Sequence, residues 1–162
     1  MATDPPVDTE LQPLDAEARS VDEWLTTFHL VVVVLDPFTY ESAWLLDTAG
    51  RILENFSGAD CRVGWLVTGN DDEARQFLGP WATRLLTFVD PDRELVKATG
   101  LERLPALVHL NLGGRLAGAA EGWHPEEWRP ILANLARIMS WSKPVVPAPG
   151  DPAAFEGSPA LA

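Results

Sequence analysis

Cysteine is almost absent from this sequence. There is one, Cys61, in 162 residues. A lone cysteine closes no internal disulfide, and there is no C-x-x-C pair to exchange one. One cysteine and three scattered histidines also lack the spacing of a closed zinc site. Basic residues are scarce too: 12 Lys and Arg face 24 Asp and Glu, a formal net charge of −12. Nucleic acid and anionic membrane are both bound through Lys and Arg, so neither is an expected partner. The charge permits a basic partner, although solubility alone accounts for it. No apolar run approaches the roughly 20 residues of a membrane helix. The stretch "MATDPPVDTE" has neither the basic n-region nor the apolar h-region of a signal peptide. A cytoplasmic location is the expectation.

What is present suits one soluble domain with arms: 46% hydrophobic residues and 22% charged ones can bury a core. Residues 1–20 read as a flexible acidic arm. "MATDPPVDTELQPLDAEAR" holds three prolines and five acidic residues against one Arg, with no sustained apolar period. Residues 142–162 read as a disordered tail, because five prolines favour extended chain. Between them, residues 21–141 alternate strand and helix. "VDEWLTTF" (21–28) is a short helix. "LVVVVLD" (30–36) is a strand buried on both faces. Leu45, Ala49, Ile52, Leu53 and Phe56 repeat at helical spacing over 40–56. Strands at 61–69 and 84–90 and helices at 70–78 and 91–100 follow. A hairpin at 106–120 turns on "LGG". The last helix has Pro125 or Pro130 in its first turn, since a deeper proline is expected to break it. This order gives an α/β sandwich with a mixed sheet of about five strands.

That order of elements resembles the thioredoxin fold, a three-layer α/β/α sandwich. The best local match is "GLERLPALVHLNLGGRLAGAAEGWHPEEWRPIL". The resemblance places Leu104-Pro105 where the family has its cis-proline, Gly113-Gly114 at the hairpin turn and Gly122 before the final helix. The strand and helix at 84–100 are closer to the peroxiredoxin and thiol-reductase branches than to minimal thioredoxin. In the family, a nucleophilic thiolate and a resolving thiol stand at the start of the first long helix. Laid on that motif, "VVVLDPFTYESAW" puts Thr39 and Ser42 near the two thiol positions. Neither alcohol exchanges disulfides. The buried acid that assists many family members is replaced by valine, around Val33. Thr39 fits an N-cap and Glu41 a favourable first-turn acid, so the segment reads as a helix start without its thiols. A weaker similarity, carried by "VDEWL" and "GWHPEEW", is to the thioredoxin-like chaperones of hydrogenase maturation, which also lack the cysteine pair. The 84–100 insertion departs from that pattern.

Other candidates have plain alternatives. Cys61 begins a strand and reads as a small, inert, buried residue rather than a reactive one. His109 sits mid-strand and reads as a sheet-face residue. His124 with Glu121, Glu126 and Glu127 offers at most a weak metal site beside a simple helix start. Asp71, Asp72 and Glu73 read as a first-turn cluster. No metal and no cofactor is expected. Seven tryptophans are unusual. Trp24, Trp44, Trp65 and Trp128 fall on or near core faces, and Trp81, Trp123 and Trp141 in loops or at a helix end. By the resemblance, Trp123 and the Pro105 loop lie near Thr39 and, with Phe38 and Tyr40, form an aromatic patch on the face where thioredoxins grip peptides. The alternative is that each ring is half buried.

The resulting expectation is a non-catalytic module, a chaperone or assembly factor, that binds a protein partner through Phe38, Thr39, Tyr40, Ser42, Leu104, Pro105 and Trp123. The rival is a thiol-dependent oxidoreductase or peroxidase using Cys61. A third possibility is an accessory subunit whose arms make the contacts.

Overall fold

The computed structural model describes residues 2–161. Its centre is β3 (His29–Leu35), whose residues from Leu30 onward are all buried. Four consecutive valines explain this: branched Cβ atoms pack well on both faces of a pleat. Parallel β4 (Cys61–Val67) lies on one side and antiparallel β7 (Ala106–Leu110) on the other. With β1 (Glu10–Pro13), β2 (Arg19–Ser20), β5 (Leu86–Val89) and β8 (Leu116–Glu121) they form one mixed sheet ordered β2-β1-β5-β4-β3-β7-β8.

Alternation along β3 divides the core. Val31, Val33 and Leu35 face a cluster with Leu45, Ile52 and Leu53 of α2 (Tyr40–Glu54) and Trp128, Leu132 and Leu135 of α6 (Pro125–Met139). Ala74 and Leu78 of α3 (Asp71–Leu78) join that layer, and α4 (Trp81–Arg84) lies beside it. Leu30, Val32 and Val34 face a second cluster with Val21 and Trp24 of α1 (Val21–Trp24) and Leu95 and Val96 of α5 (Glu94–Thr99). The three layers are those expected from the sequence. No helix among the described residues is long and apolar enough to cross a membrane.

Three expectations need correction. The sheet has seven strands, not about five. Neither arm is disordered over the described residues. In the first, Gln12 and Pro13 pair with Val89 and Phe88 along the open edge of β5, and Leu11 is 2% exposed. A four-residue strand with one apolar side chain is invisible as a pattern; the ladder offered by β5 makes it. In the second, a short strand β9 (Ser158–Pro159) pairs antiparallel with β6 (Arg103–Leu104). The third correction concerns proline. Pro125 opens α6, yet Pro130 lies inside it without breaking it. Pro130 and Glu126, whose carbonyl loses its partner, are both exposed, so solvent can take that carbonyl.

Replacing Leu11 by Ala is expected to cost about 2–5 kcal/mol, the range for a buried leucine. Urea unfolding measures it. A loss near that of an exposed site, under about 0.5 kcal/mol, would mean that the first arm contributes nothing to the core.

Candidate functional site

The site is built where β3 gives way to α2. Asp36 ends the strand and is 3% exposed. Its Oδ1 accepts the Phe38 N–H at 2.9 Å, and its carbonyl accepts the Thr39 N–H and hydroxyl. Thr39 therefore bonds backward. It stands at the N-cap position, but its side chain makes no cap bond, contrary to expectation. Ser42 is fully buried, and its Oγ accepts the Asp36 N–H at 3.0 Å. Both alcohols at the expected thiol positions are thus engaged in holding the loop.

The Asp36 carboxylate is paired. Arg93 Nη2 donates to its Oδ2 at 3.2 Å, and Arg93 Nη1 donates to the Ala160 carbonyl. Arg93 itself adopts a left-handed backbone (φ 58°) at the start of α5.

The second half of the site is the 104–105 bend. The Leu104-Pro105 peptide is cis, as the resemblance implied. Leu104 and Pro105 are buried, and so is Trp123, at 0% exposure. Trp123 is not part of an exposed aromatic patch. Its backbone N–H and C=O pair with those of Phe155 at 2.8 and 2.9 Å, and its indole N–H donates to the Pro152 carbonyl at 2.8 Å. Its ring stacks edge-on against Trp128 at 5.0 Å.

The cover is a strap from residue 141 to 161. Trp141 donates to the Asn55 carbonyl, and Asn55 donates to the Ser142 carbonyl. Arg51 then holds the Val145 carbonyl and the Asp151 carboxylate, and Thr48 donates to Asp151. The strap thus follows α2 backward, from its last turn toward its first. Beyond Phe155 it pairs with β6, and the Ala160 N–H donates to the Glu102 carbonyl.

The seven expected contact residues therefore separate. Phe38 and Tyr40 are 66% and 78% exposed. Thr39 is half-buried, and Ser42, Leu104, Pro105 and Trp123 are buried. Trp44, expected near the core, is instead 59% exposed and meets Phe155 edge-on at 5.8 Å. It stands one residue before Leu45, about 100° around the helix from the buried stripe. Asp36 and Arg93 carried no sequence signal, since their pairing joins elements 57 residues apart.

The remaining candidates have structural partners. His124 Nε2 lies 3.4 Å from Glu156, whereas Glu121 accepts the N–H groups of Glu102 and Arg103, so these neighbours in sequence diverge. Glu73 closes a capping box with Asn70. No group of three His, Cys, Asp or Glu among the described residues is placed to hold a metal ion. A surface cleft of about 710 Å³ is lined by Asp8, Glu10, Asp71, Asp90, Asp92 and Glu94, and none of the seven expected residues lines it. Cys61 pairs in register with His29 at the end of β3 and β4 far from the start of α2, six residues or about 20 Å along the strands. Burial, and then the charge of Asp60, pushes its thiol up to about 11. His109 is fully buried on β7. Its Nε2 shares a 2.9 Å hydrogen bond with His29 Nδ1, and its Nδ1 has no partner among the described residues. Burial, and then His29, pushes His109 down to about 4. Burial also lowers His29.

No protein-family model matches the sequence, and no curated protein does. Solved structures do. A Chlorobium tepidum protein named as a DsbE-type thiol:disulfide interchange protein superposes with a TM-score of 0.68 at 11% identity, over 86% of this chain and 98% of the other. The exposed lipoprotein thioredoxin Etrx1 of Streptococcus pneumoniae gives 0.60 at 18% identity, over 79% and 97%. The bacterioferritin comigratory protein of Xanthomonas campestris, studied for alkyl peroxide reduction, gives 0.63 at 14%, over 88% and 98%. The fold is thioredoxin-like.

Two predictions follow from this geometry. Trp123→Ala is expected to cost about 3–5 kcal/mol, the range for a buried aromatic, read by urea unfolding; a cost below about 1 kcal/mol would place the ring outside the core. Burial favours the neutral form of both histidines in the fold, while the unfolded chain protonates them near 6.5. The His109 contribution is complete above about pH 6.5 and is lost as pH falls through about 4. Urea midpoints between pH 7 and 4.5 should fall for the unmodified chain and fall less for His109→Leu. Parallel profiles for the two would contradict the assignment.

Proposed function

We propose that this chain is a protein-binding module, a chaperone or assembly accessory that uses the thioredoxin-like fold without thiol chemistry. The observation that carries the reading is the state of the α2 start. Near the two positions where the fold family keeps sulfur stand alcohols, Thr39 and Ser42, and both alcohols are bonded to Asp36. The one thiol is about 20 Å away along the sheet. Phe38, Tyr40 and Trp44 project from the same helix start with more than half of their surface exposed. Large amphipathic rings that lose little entropy on docking are common interface anchors. The module needs no metal or cofactor, and we place it in the cytoplasm.

The structural neighbours named for disulfide exchange and peroxide reduction favour a second reading, a thiol enzyme based on Cys61. Its thiolate is the form that would react. With the thiol pushed up to about 11, little of it is ionised at neutral pH.

The test has two arms. Turnover of peroxide or of a protein disulfide, with dithiothreitol as reductant, is expected to be the same for the unmodified chain and Cys61→Ser. Turnover at least tenfold above that variant would move the function to the thiol. A partner captured by the unmodified chain is expected to be lost, by at least tenfold in affinity, from the triple substitution Phe38→Ala, Tyr40→Ala and Trp44→Ala. Undiminished capture would remove this face from the function.

A further inference from the structure

The strap and β6 meet edge to edge through their backbones. Register pairs Arg103 with Pro159 and Leu104 with Ser158, immediately before the cis bond. The flanking bonds run the same way: Phe155 with Trp123, and the Ala160 N–H to the Glu102 carbonyl. Nearly all of this is backbone. Of the strap residues here, only Ser158 and Ala160 are buried, whereas Glu156 and Pro159 are exposed and Leu161 is 59% exposed. Backbone pairing supplies affinity to any extended segment, and specificity must come from shape at a few positions.

Two glycines set that shape. A Cβ on Gly157 would fall 2.6 Å from the Leu104 carbonyl oxygen, and its φ is +87°. A Cβ on Gly122 would fall 2.5 Å from the Glu156 carbonyl oxygen. The two backbones are in contact, so glycine is required on both sides. Around them, Phe155 meets Trp44, Ser158 and Ala160 are buried, and Arg93 donates to the Ala160 carbonyl.

We propose that the β6 edge, with Gly122 and Trp123, is the docking surface of this module, and that residues 155–160 are its displaceable internal ligand. The partner it fits is an extended protein segment with the same pattern: an aromatic residue, then Gly two positions later, then small residues and proline. This rests on the reading of the chain as a binding module and names the partner chemistry of that same face. The strap, tethered at its own site, acts at an effective concentration in the millimolar range, so a free segment competes only once the strap is dislodged.

The probe is a fluorescent peptide with the sequence of residues 151–162, DPAAFEGSPALA. The receptor is the full chain with Gly157→Val, which expels its own strap. The peptide is expected to bind this variant at least tenfold more tightly than the unmodified chain, by fluorescence anisotropy. A peptide with valine at the same glycine should not bind. Equal binding to both chains, or equal binding of both peptides, would overturn the proposal. If the variant does not fold, the unmodified sequence with a protease site at the exposed Gly150 turn is cut after folding. The severed segment should then exchange with labelled peptide. A severed segment that never exchanges overturns displacement. Peptide binding together with Cys61-dependent turnover would keep this inference and remove the binding-module reading. Absent peptide binding with absent turnover would do the reverse.

Discussion

The carboxylate of Asp36 is the joint on which the site depends. A buried charge is tolerated only when it is paired and its lone pairs are used. Asp36 meets that condition with the Phe38 N–H on one oxygen and Arg93 on the other. The pairing holds Arg93 in place, with its second amino group on the Ala160 carbonyl. The same residue, through its backbone, fixes Thr39 and Ser42. One residue thus joins the start of α2, the start of α5 and the end of the strap. Loss of Arg93 would leave the buried Asp36 carboxylate without its ion pair.

This joint separates shape from chemistry. The bend at Leu104-Pro105, the helix start and the pairing edge of β6 are all present. The alcohols at the helix start are bonded to Asp36, and the thiol of Cys61 lies at the opposite end of β4 from that start. The strap lies along the β6 edge, and of the exposed rings at the helix start Trp44 meets its Phe155.

Much of the fold was legible because its signals are local. Four valines in a row announce a strand buried on both faces, and Leu45, Ala49, Ile52 and Leu53 announce the helix that covers it. The arms were not legible, because their order is imposed from outside. Leu11 is one apolar residue in an acidic stretch, and only the edge of β5 makes it part of a strand. The proline-rich end carries no period at all; it is ordered by Arg51, Arg93, Trp123 and the β6 edge, each distant in sequence. The same gap explains the misplaced tryptophans. Trp123 looks exposed until the strap covers it, and Trp44 looks buried until its phase relative to Leu45 is resolved in three dimensions.

Native-state hydrogen exchange on the full chain reads whether the docked strap is displaceable. The amides of Phe155 and Ala160 donate to Trp123 and Glu102, while those of β3 lie in the centre of the sheet. Local opening below the global unfolding free energy marks a separately released unit. The Phe155 and Ala160 amides are expected to be protected relative to a free peptide, to open together, and to exchange at least tenfold faster than Val32–Val34. Amides with no protection would mean that the strap does not dock, and exchange matched to β3 would mean that it never leaves.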